Sequence, residues 1–497
     1  MPGRRLLLLV FVVGASSLGG EIAAARLLAP WFGDSTLIWA NTIATVLLAL
    51  SAGYWLGGRL ADRRPSVARL SAIVLAAAGL FALVPFVAGP FLRTSVDAFD
   101  SLSAGAFVGS LVAVLVLIAV PMLLLGTVAP YAIRLAVVRV EEAGSVAGRL
   151  YAISTLGSLS GVFLSALLLI PFLGTRRTFL AFALVLALAA VASMQRRWAL
   201  APAAVAALIA VPVGTVKATG DGRVVWERET PYQYARVVEE PDGERRLELN
   251  EGQAVHSVYA PDRWLTGDYW DEFLVLPLAA RDAPPRSVAI VGNAAGTTAR
   301  AYAHYFPAAR VDGVELDGEL SEVGRELFDL RGPRLHLHTA DGRAFLRASS
   351  RRWDAVFVDA YRQPYVPFHL ATREFFALVR QRLKPGGVVL VNVGHPERSD
   401  KLEQALTATM HDVFPYVLRD PSQTTNTVLL ASNAPASAER LWQAVPQLPD
   451  DLRPVAASAA TRLAPGLNGG RVFTDDRAPV EWLIDASIVE VAARGER

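Results

Sequence analysis

The sequence predicts two folds in one chain: a polytopic α-helical membrane domain of six or seven spans, then an α/β domain with a doubly wound sheet and a small β-sheet at its start. Three observations carry this. First, 53% of the 497 residues are hydrophobic and 19% charged, with mean hydropathy +0.35, whereas soluble domains carry about 25% charge. Second, residues 1–216 hold 15 arginines and seven acids, while the remainder holds 33 basic and 39 acidic residues. Third, long apolar runs fill the first half, and strand and helix patterns alternate through the second. The expected division is a helical domain over 1–216, a small antiparallel β domain with a linking helix over 217–285, an α/β domain over 286–432 and an extension over 433–497.

Composition excludes several classes. There is no cysteine, hence no disulfide framework, thiolate nucleophile or zinc–cysteine site. The 38 glycines and 30 prolines are near average usage, which excludes collagen-like and low-complexity chains. The acidic balance of the second half excludes a basic nucleic-acid footprint there.

Apolar runs recur at 6–29, 36–58, 70–92, 105–133, 150–173, 178–194 and 198–215. Most reach the roughly 20 residues that a hydrocarbon core requires. The first is not a cleaved signal peptide, because similar runs keep following it. Pro121 and Pro130 predict a kink or an interfacial turn within the fourth. Arg4 and Arg5, then Arg59, Arg63, Arg64 and Arg69, then Arg134, Arg139 and Arg149, then Arg196 and Arg197 mark alternate loops. The intervening loops hold only Arg93, Arg176 and Arg177. The excess puts the N-terminus in the cytoplasm of a multi-pass cell-membrane protein. Seven spans would leave the second half outside and six would leave it inside. Glu21 lies within the first run, with Arg26 about one turn away as its expected partner. Gly53–Gly57 and Gly157–Gly161 read as close helix contacts.

Beyond Lys217 the pattern changes. Short apolar runs at 224–226, 235–238 and 247–249, with Asp242-Gly243 between the last two, predict an antiparallel sheet with a tight hairpin. Strands follow at 287–292, 310–316, 334–339, 354–359, 387–393, 414–419 and 426–431. Helices are expected from Thr297, and over 318–329, 341–348, 371–383 and 399–412. Such alternation implies ligands beyond the carboxyl ends of the parallel strands. Lys384-Pro385-Gly386-Gly387 reads as a turn before the fifth of these strands.

Residues with chemistry sit at those ends. Gly292, Asn293 and Gly296 follow the first strand, where small residues let backbone N–H groups approach a ligand. Glu315 ends the second, 23 residues beyond Gly292, placed to accept both hydroxyls of a ribose. Asp341-Gly342 follows the third, where a carboxylate can accept from an exocyclic amine or cap a helix. Asp359 ends the fourth, where a reacting group would lie. His336 and His338 alternate on one strand and read as ordinary strand residues; no metal site is expected.

The segments 288–296, 314–317, 340–342 and 353–359 resemble the spermidine synthases, the polyamine aminopropyltransferases. So do Tyr232-Gln233-Tyr234, Gly252-Gln253 and 267–272 ahead of them. With the apolar half in front, the chain looks like the membrane-fused spermidine synthase-like proteins of bacteria. The resemblance implies a methyltransferase-like Rossmann domain. It implies aminopropyl transfer from decarboxylated S-adenosylmethionine to an amine or polyamine, without a metal. Glu315 would hold the ribose, Asp341 the adenine, and Asp359 would position and deprotonate the amine. Tyr232, Gln233, Gln253, Tyr269, Asp271, Tyr361 and His369 would line the substrate side. A lipid bilayer is the expected surrounding and a homodimer is compatible with the family. Because the co-substrate is made in the cytoplasm, the catalytic domain is expected there.

Three positions depart from the family pattern. The glycine loop has Ala295 where an acid is usual. The second acid of Asp-x-x-Asp falls at Arg362. The Tyr-His-Glu segment reads Tyr269-Trp270-Asp271. The nucleoside side is kept and the amine side altered. Methyl transfer from S-adenosylmethionine, or non-catalytic sensing or transport of nucleosides or polyamines, are therefore the alternatives.

Overall fold

The computed structural model describes residues 3–484 except 34–35, 100–104, 193–195, 212–215, 218–221, 251–253, 362–365 and 398. The chain divides into two compact units. One comprises residues 1–218 with 227–235 and 250–252; the other comprises 219–226, 236–249 and 253–497.

The first unit is helical: α1 Arg4–Phe32, α2 Thr36–Arg63, α3 Val67–Phe99, α4 Gly105–Val114, α5 Val120–Gly126, α6 Val128–Ala136, α7 Ala143–Leu164, α8 Ile170–Val191 and α9 Leu200–Ile209. Among the described residues, five helical stretches are long and apolar enough to cross a membrane: Arg4–Phe32, Ile38–Arg63, Val67–Ser95, Val108–Ala136 and Val140–Val191, the last 52 residues long. Within this last stretch Gly174 (φ +81°) breaks the helical geometry, between the two runs expected there. The seventh run forms only the ten-residue α9, and 212–215 lie outside the described residues.

Prolines leave a specific mark. A π-turn over Leu115–Ala119 precedes Pro121, and another over Ser165–Leu169 precedes Pro171. A proline has no N–H for the carbonyl four residues back, and its ring crowds that carbonyl. Widening the turn relieves both. The expected kink at Pro121 is thus a π-turn, while at Pro130 the helix is interrupted at Thr127 and Pro130 sits in the first turn of α6.

Glycines allow backbone contact. A Cβ on Gly157 would lie 2.1 Å from the Phe11 carbonyl oxygen, and one on Gly161 2.0 Å from that of Ala15. Between them Ser158 Oγ donates to the Gly14 carbonyl at 3.2 Å, and beyond them Ser165 Oγ to that of Gly19 at 2.9 Å. Gly53 and Gly57 meet Leu123 and Thr127 of the α5–α6 segment in the same way, at 2.2 and 2.4 Å. The expected Glu21–Arg26 pair is absent among the described residues: the Arg26 guanidinium donates to the Pro231 carbonyl. Five residues apart on one helix, Glu21 and Arg26 point about 140° apart, whereas Arg26 lies beside the Glu229 carboxylate as well as the Pro231 carbonyl.

The small sheet has β1 Arg223–Glu229, β2 Tyr234–Glu239, β3 Arg245–Leu249 and β4 Val255–Tyr259, in that spatial order. The hairpin turns at Gly243 (φ +86°) as Asp242-Gly243 predicts. The fourth strand had no counterpart among the expected runs.

The second unit then runs α10 Glu272–Val275, β5 Ser287–Val291, α11 Thr297–Tyr305, β6 Arg310–Glu315, α12 Gly318–Leu327, β7 Leu335–Thr339, α13 Gly342–Ala348, β8 Trp353–Val358, α14 Arg373–Arg382, β9 Leu383–Gly394, α15 Lys401–His411, β10 Tyr416–Asp420, β11 Asn426–Ser432, α16 Ala438–Ala444, α17 Leu452–Arg462 and β12 Ala464–Pro465. The sheet order is β12-β10-β11-β9-β8-β5-β6-β7. Strands β9, β8, β5, β6 and β7 are parallel; β11, β10 and β12 add antiparallel at one edge. All six residues of β8 are buried, as a strand covered by helices on both faces requires. One face packs Val356 and Val358 with Phe375, Phe376 and Met410. The other packs Phe357 with Phe273 and Tyr302. The expected turn at 384–387 falls within the bounds of β9 as a bulge: Leu383 is opposite Trp353 and Val388 opposite Ala355, so these four residues loop out against one, with Gly386 at φ +70°.

The glycine contacts predict opposite outcomes at two positions of α7. Gly161→Leu should lower the unfolding temperature in detergent sharply, because backbone would have to move. Gly148→Ala, with open space around its Cβ, should be neutral or stabilising by about 0.5–1 kcal/mol. Equal effects would mean that the seam is not closely packed.

Candidate active site

The parallel register brings the strand ends level. Val291 pairs with Val314 and Val358, and Val358 with Val391. The next residues, Gly292, Glu315, Asp359 and Asn392, therefore emerge side by side.

The loop after β5 is built from backbone. A Cβ on Gly292 (φ +86°) would lie 2.4 Å from Ala360 Cα, so only glycine fits. The N–H groups of Gly292 and Asn293 both donate to the Val314 carbonyl. Ala294 sits at φ +45°, a conformation costing an alanine about 1–2 kcal/mol. Its N–H is thereby aimed at Glu315 Oε2, 2.8 Å away, while Glu315 Oε1 accepts from Asp317 N–H at 3.0 Å. Burial pushes the Glu315 carboxyl up, and these backbone donors oppose it. The Asn293 side chain is 5% exposed, and neither end of its amide has a partner. A buried amide without partners is costly, and its place in the loop fits a polar ligand.

Asp341 caps α13: Oδ1 accepts from Ala344 N–H at 2.8 Å, and Oδ2 lies 3.0 Å from His369 Nε2. The capping reading is thus realised, with His369 brought to the same carboxylate. A Cβ on Gly342 would meet Val291 Cγ1 at 2.3 Å, which explains the small residue there.

Asp359 has the most distinctive surroundings. Oδ1 accepts from Asn392 Nδ2 at 2.9 Å, Oδ2 from Trp270 Nε1 at 3.2 Å, and Tyr269 Oη reaches both oxygens at 3.3 and 3.2 Å. All three donors are neutral. Burial pushes the Asp359 carboxyl up to about 7 against the pull of these hydrogen bonds. Burial, with Asp359 beside it, raises Tyr269 well above the usual phenol range, so it remains a donor. Tyr361, also raised by burial, donates to the Asn392 carbonyl at 2.9 Å.

The structure therefore gathers Gly292, Asn293, Gly296, Glu315, Asp341, Gly342, Asp359, Tyr269, Tyr361 and His369 along one sheet edge. Asp271 turns away from it: its carboxylate accepts from the N–H groups of Thr266 and Gly267 and closes that loop. Tyr232 and Gln233 lie in the β1–β2 turn, where both N–H groups donate to Thr230 Oγ1. Gln253 and Arg362 fall outside the described residues. His336 pairs with Arg310 and His338 with Asp312; no cluster suited to a metal occurs among the described residues. Asn392 and the donor role of Trp270 were missed. The visible sign of the first was a lone amide within the apolar run Val388–Val393.

Comparisons with known proteins bear on this edge. Residues 272–431 match the spermine/spermidine synthase domain. A probable polyamine aminopropyl transferase of Bifidobacterium longum is 32% identical over 291 residues, 54% of this chain; the chain spans 64% of that relative's length. Polyamine aminopropyltransferase 1 of Streptomyces coelicolor is 25% identical over 435 residues, 82% of this chain and 78% of that protein. The crystal structure of a probable spermidine synthase from Corynebacterium glutamicum aligns with TM-score 0.40 and 22% identity, covering 50% of this chain and 97% of that one.

The Asp359 environment predicts a pH-dependent stability difference. Its ordinary value is 3.8 and its folded value about 7. Between these the folded chain binds more protons than the unfolded chain, so its stability falls as pH rises through that window. Thermal unfolding of wild type and Asp359→Asn from about pH 4 to about pH 8 should show the difference moving in the variant's favour as pH rises. A pH-independent difference would mean that the carboxyl is not raised.

Proposed function

We propose that this chain, which carries a spermine/spermidine synthase domain over residues 272–431 and is homologous to polyamine aminopropyltransferases, is a membrane-bound aminopropyltransferase. It transfers an aminopropyl group from decarboxylated S-adenosylmethionine to an amine or polyamine. The observation that carries this reading is Asp359: a carboxylate raised to about 7, held by three neutral donors beside a backbone-lined loop.

Glu315 would take the ribose hydroxyls and Asp341 the adenine amine, with His369 steadying that carboxylate. The amine must shed a proton before its lone pair can attack. Asp359 takes that proton; at about 7 it is roughly a thousandfold more basic than an ordinary aspartate. The nitrogen then bonds to the aminopropyl carbon on the sulfonium. The carbon–sulfur electron pair returns to sulfur, and methylthioadenosine leaves as a neutral thioether. Proton transfer of this kind contributes about 10²–10⁴-fold, and holding amine and carbon in line supplies more.

The membrane reading is supported by the five long apolar stretches and by the arginine asymmetry of their loops. The co-substrate's origin favours a cytoplasmic catalytic domain. One observation favours the other face. Lys217 Nζ donates to the Pro30 carbonyl at 3.1 Å, at the end of α1 remote from Arg4 and Arg5.

Product analysis tests the chemistry. Purified full-length protein given decarboxylated S-adenosylmethionine and a panel of amines should release methylthioadenosine with an aminopropylated amine, and Asp359→Asn should cut turnover by about 10²–10⁴-fold while still binding methylthioadenosine. S-adenosylhomocysteine formed from S-adenosylmethionine would instead make the protein a methyltransferase. Binding without turnover would favour sensing or transport.

The face is tested separately. The chain has no cysteine, so Ser350→Cys places a single thiol at an exposed site. A membrane-impermeant maleimide should label it only after lysis if the domain is cytoplasmic. Labelling of intact cells would put the domain outside.

A further inference from the structure

The amide that faces Asp359 has a choice of orientation, and the structure removes it. Asn392 is 2% exposed. Its Nδ2 donates to Asp359 Oδ1, and its Oδ1 accepts from Asn426 Nδ2 at 2.9 Å. Asn426 Oδ1 in turn accepts from Thr425 Oγ1 at 3.2 Å. Every link in this chain runs the same way, from an exposed hydroxyl at the rim through two amides to the carboxylate.

Direction matters because an asparagine presents a donor at one end and an acceptor at the other. An NH2 aimed at Asp359 stabilises the ionised carboxylate. An amide oxygen there would stabilise only the protonated acid, which cannot take a proton from an amine. Asn392 alone does not determine which end it presents. Its oxygen is held by a donor that comes from β11, the antiparallel neighbour of β9, where Asn426 is opposite Gly394.

We propose that Asn426 is a positioning residue for Asp359: by holding the Asn392 side-chain carbonyl it keeps the Asn392 NH2, rather than its oxygen, against the carboxylate. This rests on Asp359 being the base. Other titratable groups border the chain without entering it. Tyr269 and Tyr361 face Asp359 as neutral phenols. Around Asn426, the His395 ring meets the Pro396 carbonyl and Thr427 Oγ1, Glu403 is paired with Arg419, and Asp268 accepts from Gln423.

Asn426→Asp is nearly isosteric but has no donor when ionised. Asn392 would turn its NH2 toward residue 426 and its oxygen toward Asp359. In full-length protein the acidic limb of kcat/KM against pH should then move up by about one unit or more. Activity near neutrality should drop about tenfold and recover at higher pH, with methylthioadenosine binding retained. Asn426→Ala, which removes the donor without adding a charge, should move the limb the same way by less. A uniform loss at every pH, or an unmoved limb in a variant that still binds methylthioadenosine, would overturn the proposal. Should Asn426→Asp fail to fold, an unmoved limb in Asn426→Ala does so alone. If Asp359→Asn itself turns over like wild type, it is the assignment of the base that fails.

Discussion

The arrangement depends on one constraint, the level register of the parallel strands. Val314, Val291, Val358 and Val391 lie abreast across four strands. Parallel hydrogen bonding fixes where each strand ends relative to its neighbour, so the residue after each valine faces the same edge. Glu315, Gly292, Asp359 and Asn392 are those residues. A slip of one residue in any strand would turn that side chain to the opposite face. The buried valines, packed on both sides, make such a slip costly.

The second governing feature is a carboxylate with neutral company. A cation beside Asp359 would hold the carboxyl down and make it a poor base. Tyr269, Trp270 and Asn392 instead satisfy its oxygens without opposing charge, and burial lifts it to about 7. Trp270, whose indole N–H can only donate, supplies a hydrogen bond without adding a titratable group.

In the helical half, contact between backbones is added to a core of buried side chains such as Phe81, Tyr131 and Phe179. Gly157 and Gly161 on α7, and Gly53 and Gly57 on α2, leave no room for a Cβ, and serines bridge to the facing carbonyls. Two prolines each follow a π-turn, so the same local conflict is resolved twice in the same way. These devices suit helices whose outer surfaces are apolar, where packing must come from close approach.

Much of this was legible in the chain before folding. Apolar run length, the period of strand and helix, and the Asp242-Gly243 turn are local, and local sterics and burial determine them. The ends of β5, β6, β7 and β8 were readable because a chemistry-bearing residue follows each apolar run. The lone Asn392 in such a run was a sign of the same kind, left unread. Tertiary structure decided what requires two distant segments. Arg26 turned to the Pro231 carbonyl instead of Glu21, and Asp271 closed its own loop. The Asn426–Asn392–Asp359 chain joins residues 34 and 33 positions apart. Hydrogen-bond partners are selected by three-dimensional proximity and by which donors remain unsatisfied, and neither quantity is a property of sequence neighbours.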